Sequence, residues 1–359
     1  MNLTQGVARD CDVTVIGPRG CKALLPASIC VREAPAGVLP FLALGTAAAI
    51  AACRQKPFDL VIGGSGVAAP VLAVIKRMFN LPTLLLLHGL DIVFDHTLYR
   101  GVFLPCIRKA DRFIVNSKNT RTLAIAAGVN AESIDVINPG TELPPLPGAE
   151  QVAAFKREFD IPFEKFVVFV GRITPRKGLS VFIRHCMPTL VRDNPHTGLV
   201  IVGDSPTNSL NKQSELGEVI NTIATARLQA HCTFLGHIDD RDLKHCFAAA
   251  SLQVLPLIET PGDVEGFGMV AVEAAACGTP TVAFRLGGVA DAIADSSGAL
   301  ITPGDYTAMA NAISMILNTG SPDVASCRAH AEQFAWPHYH ARVRAAIEAL
   351  LDNARHSRD

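Results

Sequence analysis

Phe166-Val167-Val168-Phe169-Val170-Gly171-Arg172-Ile173-Thr174-Pro175-Arg176-Lys177-Gly178 sets five consecutive apolar residues against a glycine-bounded basic turn. An apolar run of this length reads as a strand buried on both faces, and the turn leaving it as the entrance to a helix, the junction at which parallel βαβ units bind anions. Arg172 and Lys177 put two formal cations beside a helix entry whose free N–H groups carry positive potential, so the loop suits a diphosphate. By charge alone it reads equally well as a solvated basic turn. The Gly on each side and the position after a strand favour the phosphate.

The same alternation of short apolar runs and helical patterns extends in both directions. Upstream, strands are expected near Val13–Ile16, Leu60–Gly63, Thr83–Leu87, Phe113–Val115 and Ile134–Ile137. Downstream they recur near Leu199–Val202, Thr233–Leu235, Leu252–Leu255, Thr281–Phe284 and Ala299–Ile301. Between the two series, Asn138 to Gly148 holds four Pro and two Gly and reads as a linker. The fold class is therefore α/β, with two Rossmann-like doubly wound domains. An N-terminal domain covers 1–148 and a C-terminal domain covers 149–336, with a ligand expected in the cleft between them at the carboxyl ends of the strands.

Composition agrees with a folded α/β protein: 49% of the 359 residues are hydrophobic and only one is Trp, which suits close helix-on-sheet packing. The ten Cys form no C-x-x-C pair and read as buried thiols in a reducing, cytoplasmic compartment. Met1 to Asp12 is polar and does not read as a secretory signal. The uncharged stretch Ala34 to Cys53 is interrupted by Pro35, Gly37, Pro40 and Gly45 and reads as a buried helix ahead of a membrane span. Residues 1–148 carry 14 Lys+Arg against 10 Asp+Glu, and the remainder 18 against 23. That asymmetry suits either an anionic membrane face or acceptor, or a plain solvated surface, and no nucleic-acid partner is expected.

A second stretch, Asp263-Val264-Glu265-Gly266-Phe267-Gly268 followed by the apolar Met269 to Ala276, places two carboxylates eight residues apart, Glu265 at the mouth of a helix and Glu273 about two turns along it. They are too far apart to share a proton and need separate partners. One carboxylate can accept from both hydroxyls of a ribose, and one beside a developing cationic anomeric carbon stabilises a transition state. Read plainly, Glu265 caps a helix and Glu273 is a surface residue.

G-R-x-x-x-x-K-G followed about ninety residues later by E-G-F-G-x-x-x-x-E resembles the retaining glycosyltransferases of family four, which have the GT-B fold. The resemblance implies that Gly171, Arg172 and Lys177 hold a donor diphosphate, that Glu273 binds the donor ribose, and that Glu265 contacts the donor sugar near the reacting centre. Backbone at Gly266, Phe267 and Gly268 meets the sugar or phosphate in that scheme. His88, after the strand ending at Leu87, resembles the family's catalytic imidazole facing the donor sugar. His237 and Ile238 resemble the stretch that meets the base, and Gly287-Gly288 resembles a glycine turn near the phosphates. Thr260 to Gly266 looks like relatives that use GDP-mannose to build phosphatidylinositol mannosides. The implied donor is thus GDP-mannose, with UDP-glucose or UDP-N-acetylglucosamine as alternatives. The implied acceptor is a glycan or lipid-linked sugar, reached at the inner membrane face.

Asp240-Arg241-Asp242 matches a metal-binding D-x-D formally but precedes a helical pattern, where Asp is a natural cap. Two cations and a helix dipole suffice for a departing diphosphate, so no metal and no cofactor are expected. Gly64-Ser65-Gly66-Val67-Ala68-Ala69 satisfies a dinucleotide fingerprint, but the next strand ends in His88 with no acid for the ribose, which weighs against an NAD-dependent oxidoreductase. A non-catalytic nucleotide- or carbohydrate-binding relative is the other competing reading, opposed by the presence of Arg172, Lys177, Glu265 and Glu273. The resemblance also implies that the last helix, 337–359, crosses back onto the N-terminal domain. It further implies that the first βα unit of that domain is missing before Arg9, so that either the natural chain starts upstream of Met1 or this form is poorly stable and weakly active.

Overall fold

The computed structural model describes residues 2–205 and 215–356. The chain divides into two compact units, Met1–Gly140 with Trp336–Asp359, and Thr141–Ala335. The change of unit comes at Gly140, ahead of the expected boundary at 148. The backbone explains this: the Thr141 amide donates to the Phe334 carbonyl at 2.7 Å, and Thr141 bridges Ala335, so the Pro-rich stretch is already anchored in the second unit.

The first unit contains β1 (Thr14–Pro18), β2 (Cys30–Ala34), β3 (Val61–Gly63), β4 (Thr83–Leu87), β5 (Arg112–Val115) and β6 (Ile134–Val136). All of its strand pairs are parallel, in two sheets ordered β1-β2 and β3-β4-β5-β6. Leu85, Leu87, Phe113 and Val115 point to one face, onto Ala69, Leu72 and Ile107. Leu84, Leu86 and Ile114 point to the other, where Tyr339, Val343, Ala346, Ile347 and Leu350 of the helix Trp336–His356 cover them. The period-2 alternation of side chains on a sheet covered on both sides accounts for the unbroken apolar reading of β4. Among the described residues β1 pairs only with β2 and β3 only with β4, so the strands of this unit form two separate sheets. Val15 and Ile16 on β1 and Val61 and Ile62 on the edge strand β3 are only half-buried, whereas every residue of β4 is buried.

The helix Val38–Gln55 is long and apolar enough by composition to cross a membrane. It packs on β1, β2 and the helix Ala69–Phe79 through Gly45, Ala49 and Ala52, and leaves Val38, Leu39 and Leu44 exposed. The expectation of a buried helix is corrected here. The 18-residue helix is about 27 Å long, whereas the five-residue strands β1 and β2 span only about 17 Å.

The second unit contains β7 (Lys165–Val170), β8 (Thr197–Val202), β9 (Cys232–Gly236), β10 (Leu252–Leu255), β11 (Thr281–Phe284) and β12 (Gly298–Ile301). They form one parallel sheet in the order β12-β11-β10-β7-β8-β9. Val167 and Phe169 face one apolar cluster and Phe166, Val168 and Val170 another, so β7 is buried from both sides. Strand order reverses between β7 and β10. The connections leaving these two strands therefore run to opposite faces and open a crevice at their carboxyl ends, where ligands bind in doubly wound sheets. All ten cysteines are free. Burial pushes the thiols of Cys186, Cys246 and Cys327 up to about 12, which makes them apolar packing groups rather than nucleophiles.

Candidate active site

The crevice at the β7/β10 reversal is built from two loops that hold each other. After β7 the chain makes a short 3-10 turn, Pro175–Lys177, and then the helix Leu179–His185. Gly178 joins them at φ +68, and a Cβ there would lie 1.9 Å from the Pro256 carbonyl oxygen. Only glycine satisfies both the left-handed conformation and the close approach. The second loop is tied to the first where the Ile258 amide donates to the Arg176 carbonyl at 2.8 Å. It is also tied to the turn at Gly287-Gly288, whose Gly288 amide donates to the Glu265 carbonyl at 2.8 Å. Gly287-Gly288 thus sets the backbone of the acidic loop.

Side chains close the contact. Lys177 Nζ lies 2.6 Å from Glu265 Oε2, Arg176 Nη1 lies 2.7 Å from the same oxygen, and Arg176 Nε lies 2.9 Å from Asp263 Oδ2. The side chains of Arg176 and Lys177 are each 11% exposed and that of Glu265 19%. Burial by itself raises the Glu265 carboxyl. The charge of Lys177 and the hydrogen bonds from Lys177 and Arg176 overcome it and hold the group below its ordinary value. Glu265 therefore stays a carboxylate at neutral pH and is lost to protonation only well on the acid side.

Arg176, which the sequence motif does not single out, makes two of these three contacts. Arg172 is exposed and forms no ion pair among the described residues. Glu265 does not cap the helix Met269–Ala276; Gly268, at φ +90, occupies that position. The Phe267 ring is buried against Phe334, leaving only its backbone for any ligand.

Glu273 stands apart from this cluster. It is half-buried on the helix Met269–Ala276, where burial first and the Asp240 charge second raise its carboxyl, opposed by Lys244. It therefore shares its surroundings with the start of the helix Asp240–Ala249, directly after His237 and Ile238. The expected capping by the Asp240-Arg241-Asp242 run is corrected: Asp239 is the cap, accepting from the Asp242 amide at 2.8 Å. Among the described residues no three His, Cys, Asp or Glu side chains gather as a metal site.

In the first unit, His88 Nε2 lies 2.9 Å from the Gly64 carbonyl oxygen, and the His88 amide donates to Asp91 Oδ2 at 2.9 Å. A carbonyl only accepts, so Nε2 donates this hydrogen bond. The Gly64–Gly66 turn thus serves to orient an imidazole.

Residues 153–334 match the family Glycosyl transferases group 1, and residues 1–143 match Glycosyltransferase Family 4. The chain belongs to the group 1 glycosyl transferases. Its fold is GT-B. The chain is 32% identical over 250 residues to D-inositol 3-phosphate glycosyltransferase of Mycolicibacterium smegmatis, a match covering 68% of the chain and 52% of that relative. It is 29% identical over 346 residues to the enzyme of the same name from Gordonia bronchialis, covering 90% and 71%. The chain spans about half the length of most of the curated relatives it matches. Among solved structures it is similar to Anabaena HepE in complex with UDP-glucose, with TM-score 0.78 at 24% identity over 97% of this chain and 94% of that one. It is also similar to a glycosyltransferase from Rickettsia africae, with TM-score 0.81 at 18% identity over 98% and 94%.

Proposed function

We propose that this transferase moves a hexosyl group from a nucleoside diphosphate sugar to a hydroxyl acceptor, keeping the anomeric configuration and using no metal ion. The observation that carries the reading is Glu265, an ionised carboxylate held between Arg176 and Lys177 at the strand-order reversal. An anion fixed there in advance stabilises positive charge developing at an anomeric carbon, and Lys177 with Arg172 stabilises the departing diphosphate. In this scheme Lys177 and Arg172 bind the diphosphate beside Gly171, and Glu273 accepts from the ribose hydroxyls. Backbone at His237 and Ile238 meets the base, backbone at Gly266, Phe267 and Gly268 meets the sugar or phosphate, and His88 serves the donor sugar.

For the donor, the reading moves from GDP-mannose to a UDP-hexose. The Thr260 to Gly266 stretch favoured GDP-mannose, whereas the relatives found are named for inositol 3-phosphate and a similar fold holds UDP-glucose. The acceptor in this reading is a phosphorylated polyol, with a glycan or lipid-linked sugar as the second choice. The reaction is assigned to the cytoplasm, in keeping with ten free thiols. Exposed Val38, Leu39 and Leu44 support peripheral contact with the inner membrane face.

A thermal-shift series with UDP and GDP, each with and without chelator, tests this reading. Ligand at about 100 times its Kd adds roughly 2.7 kcal/mol, so UDP is expected to raise the melting midpoint by several degrees, chelator present or absent. Stabilisation by GDP alone returns the donor to GDP-mannose. Stabilisation that vanishes with chelator overturns the metal-free scheme, and no response to either nucleotide overturns the donor reading.

A further inference from the structure

Two cations meet one carboxylate oxygen in the second unit, yet they are held very differently. Lys177 touches Glu265 Oε2 alone, at the end of a flexible four-carbon stem. Arg176 touches Glu265 Oε2 and Asp263 Oδ2 through separate nitrogens, and its own carbonyl accepts from the Ile258 amide. Moving Lys177 breaks one contact, whereas moving Arg176 breaks a fork and disturbs the loop after β10. Cations and carboxylates in the cluster are matched two against two. A diphosphate arriving at the loop after β7 upsets that match and competes with Glu265 for the Lys177 ammonium.

We propose that Arg176 is a positioning residue: it keeps Glu265 paired and in place when Lys177 leaves it for the donor diphosphate, an inference that rests on the transfer reading above. Lys177 exchanges partners and Arg176 does not. Without Arg176, Lys177 is the only cation on a largely buried carboxylate. Each donor molecule then has to pull Lys177 away and leave that charge unpaired, which is strongly unfavourable in a site of this exposure. Arg176 thereby separates two tasks that otherwise compete for one lysine, binding the diphosphate and holding the carboxylate.

The test is a double-mutant cycle on the full chain, read as affinity for whichever of UDP and GDP the wild type binds. Arg176→Met is expected to weaken that affinity about tenfold, because Glu265 then retains Lys177. Adding Glu265→Gln releases the lysine, so the double variant is expected to bind within about twofold of Glu265→Gln alone. The acid limb of the kcat profile supplies a second readout. With one of its two stabilising cations gone, the Glu265 carboxyl titrates higher, and activity is lost at a higher pH on acidification. Arg176→Lys keeps the charge but not the fork, and is expected to lose about threefold in affinity, again relieved by Glu265→Gln. It carries the test if the Met variant does not fold. A loss that persists undiminished in the Glu265→Gln background, with an unmoved acid limb, shows a merely structural arginine and overturns the inference. Wild-type protein that binds neither nucleotide overturns the donor reading and this inference with it, so the two failures are distinguishable.

Discussion

Glu265→Gln is expected to lower kcat by about 10³-fold while leaving nucleoside diphosphate affinity at or above the wild-type value. The substitution keeps side-chain shape and one hydrogen-bonding oxygen but removes the negative charge held beside Lys177 and Arg176. A loss confined to the transition state lowers kcat and kcat/KM together. Freed Lys177 then has only the phosphates to serve, so binding does not suffer. Glu273→Ala is expected to do the reverse. In the proposed scheme it removes charge-assisted hydrogen bonds to the ribose, and nucleotide affinity is expected to weaken by about 10- to 100-fold. Fluorescence or calorimetric titration of both variants beside steady-state rates checks the contrast. Equal loss of nucleotide affinity in the two contradicts separate roles, and normal turnover by Glu265→Gln contradicts a part for this carboxylate in the chemistry.

Gly178→Ala is the other change with a large expected effect. The residue sits at φ +68, where an L side chain costs about 1–2 kcal/mol. Its Cβ would also stand 1.9 Å from the Pro256 carbonyl oxygen, so one of the two loops must move. The combined cost is expected to exceed about 3 kcal/mol and to lower the melting midpoint by roughly 6–12 °C. Because Arg176 and Lys177 directly precede Gly178, the surviving folded protein is expected to lose the Glu265 contacts and most nucleotide binding. Gly304 is the control, since it has φ +82 with nothing within 4 Å of the added Cβ. Gly304→Ala is expected to carry the backbone strain alone, about 1 kcal/mol, with turnover unchanged. Matching melting curves for the two alanine variants would show that the approach to Pro256 does not matter.

Much of the fold is legible in the sequence because its signal is local. The runs at β4, β7 and β11 are apolar after their first residue and β10 is interrupted only by Gln253, as burial on both faces of a parallel sheet favours. The strand Cys30–Ala34 escaped notice because it is a half-exposed member of a two-stranded sheet. Arg32 and Glu33 interrupt it, so it lacks a continuous apolar run. The helix Val38–Gln55 was read correctly as a helix and wrongly as buried, since composition records what a surface prefers and not what lies against it. At the site, the motifs located Lys177 and Glu265 but not their contact, which spans 88 positions and depends on the reversal of strand order between β7 and β10. Arg176 was hidden for the same reason. Beside Lys177 in sequence it is one more basic residue of a turn, and only the return of Asp263 and Glu265 from the far loop makes it a fork between two acids.

The central claim is transfer with retention by a site whose fixed anion is Glu265. Proton NMR of the reaction, started with an α-linked nucleoside diphosphate hexose and followed from the first turnover, tests it most directly. The account predicts that the first transferred or released sugar carries the α configuration, with the β form growing in only by later mutarotation of free sugar, and that Glu265→Gln gives neither at a comparable rate. Initial appearance of the β product from the wild-type protein would contradict it.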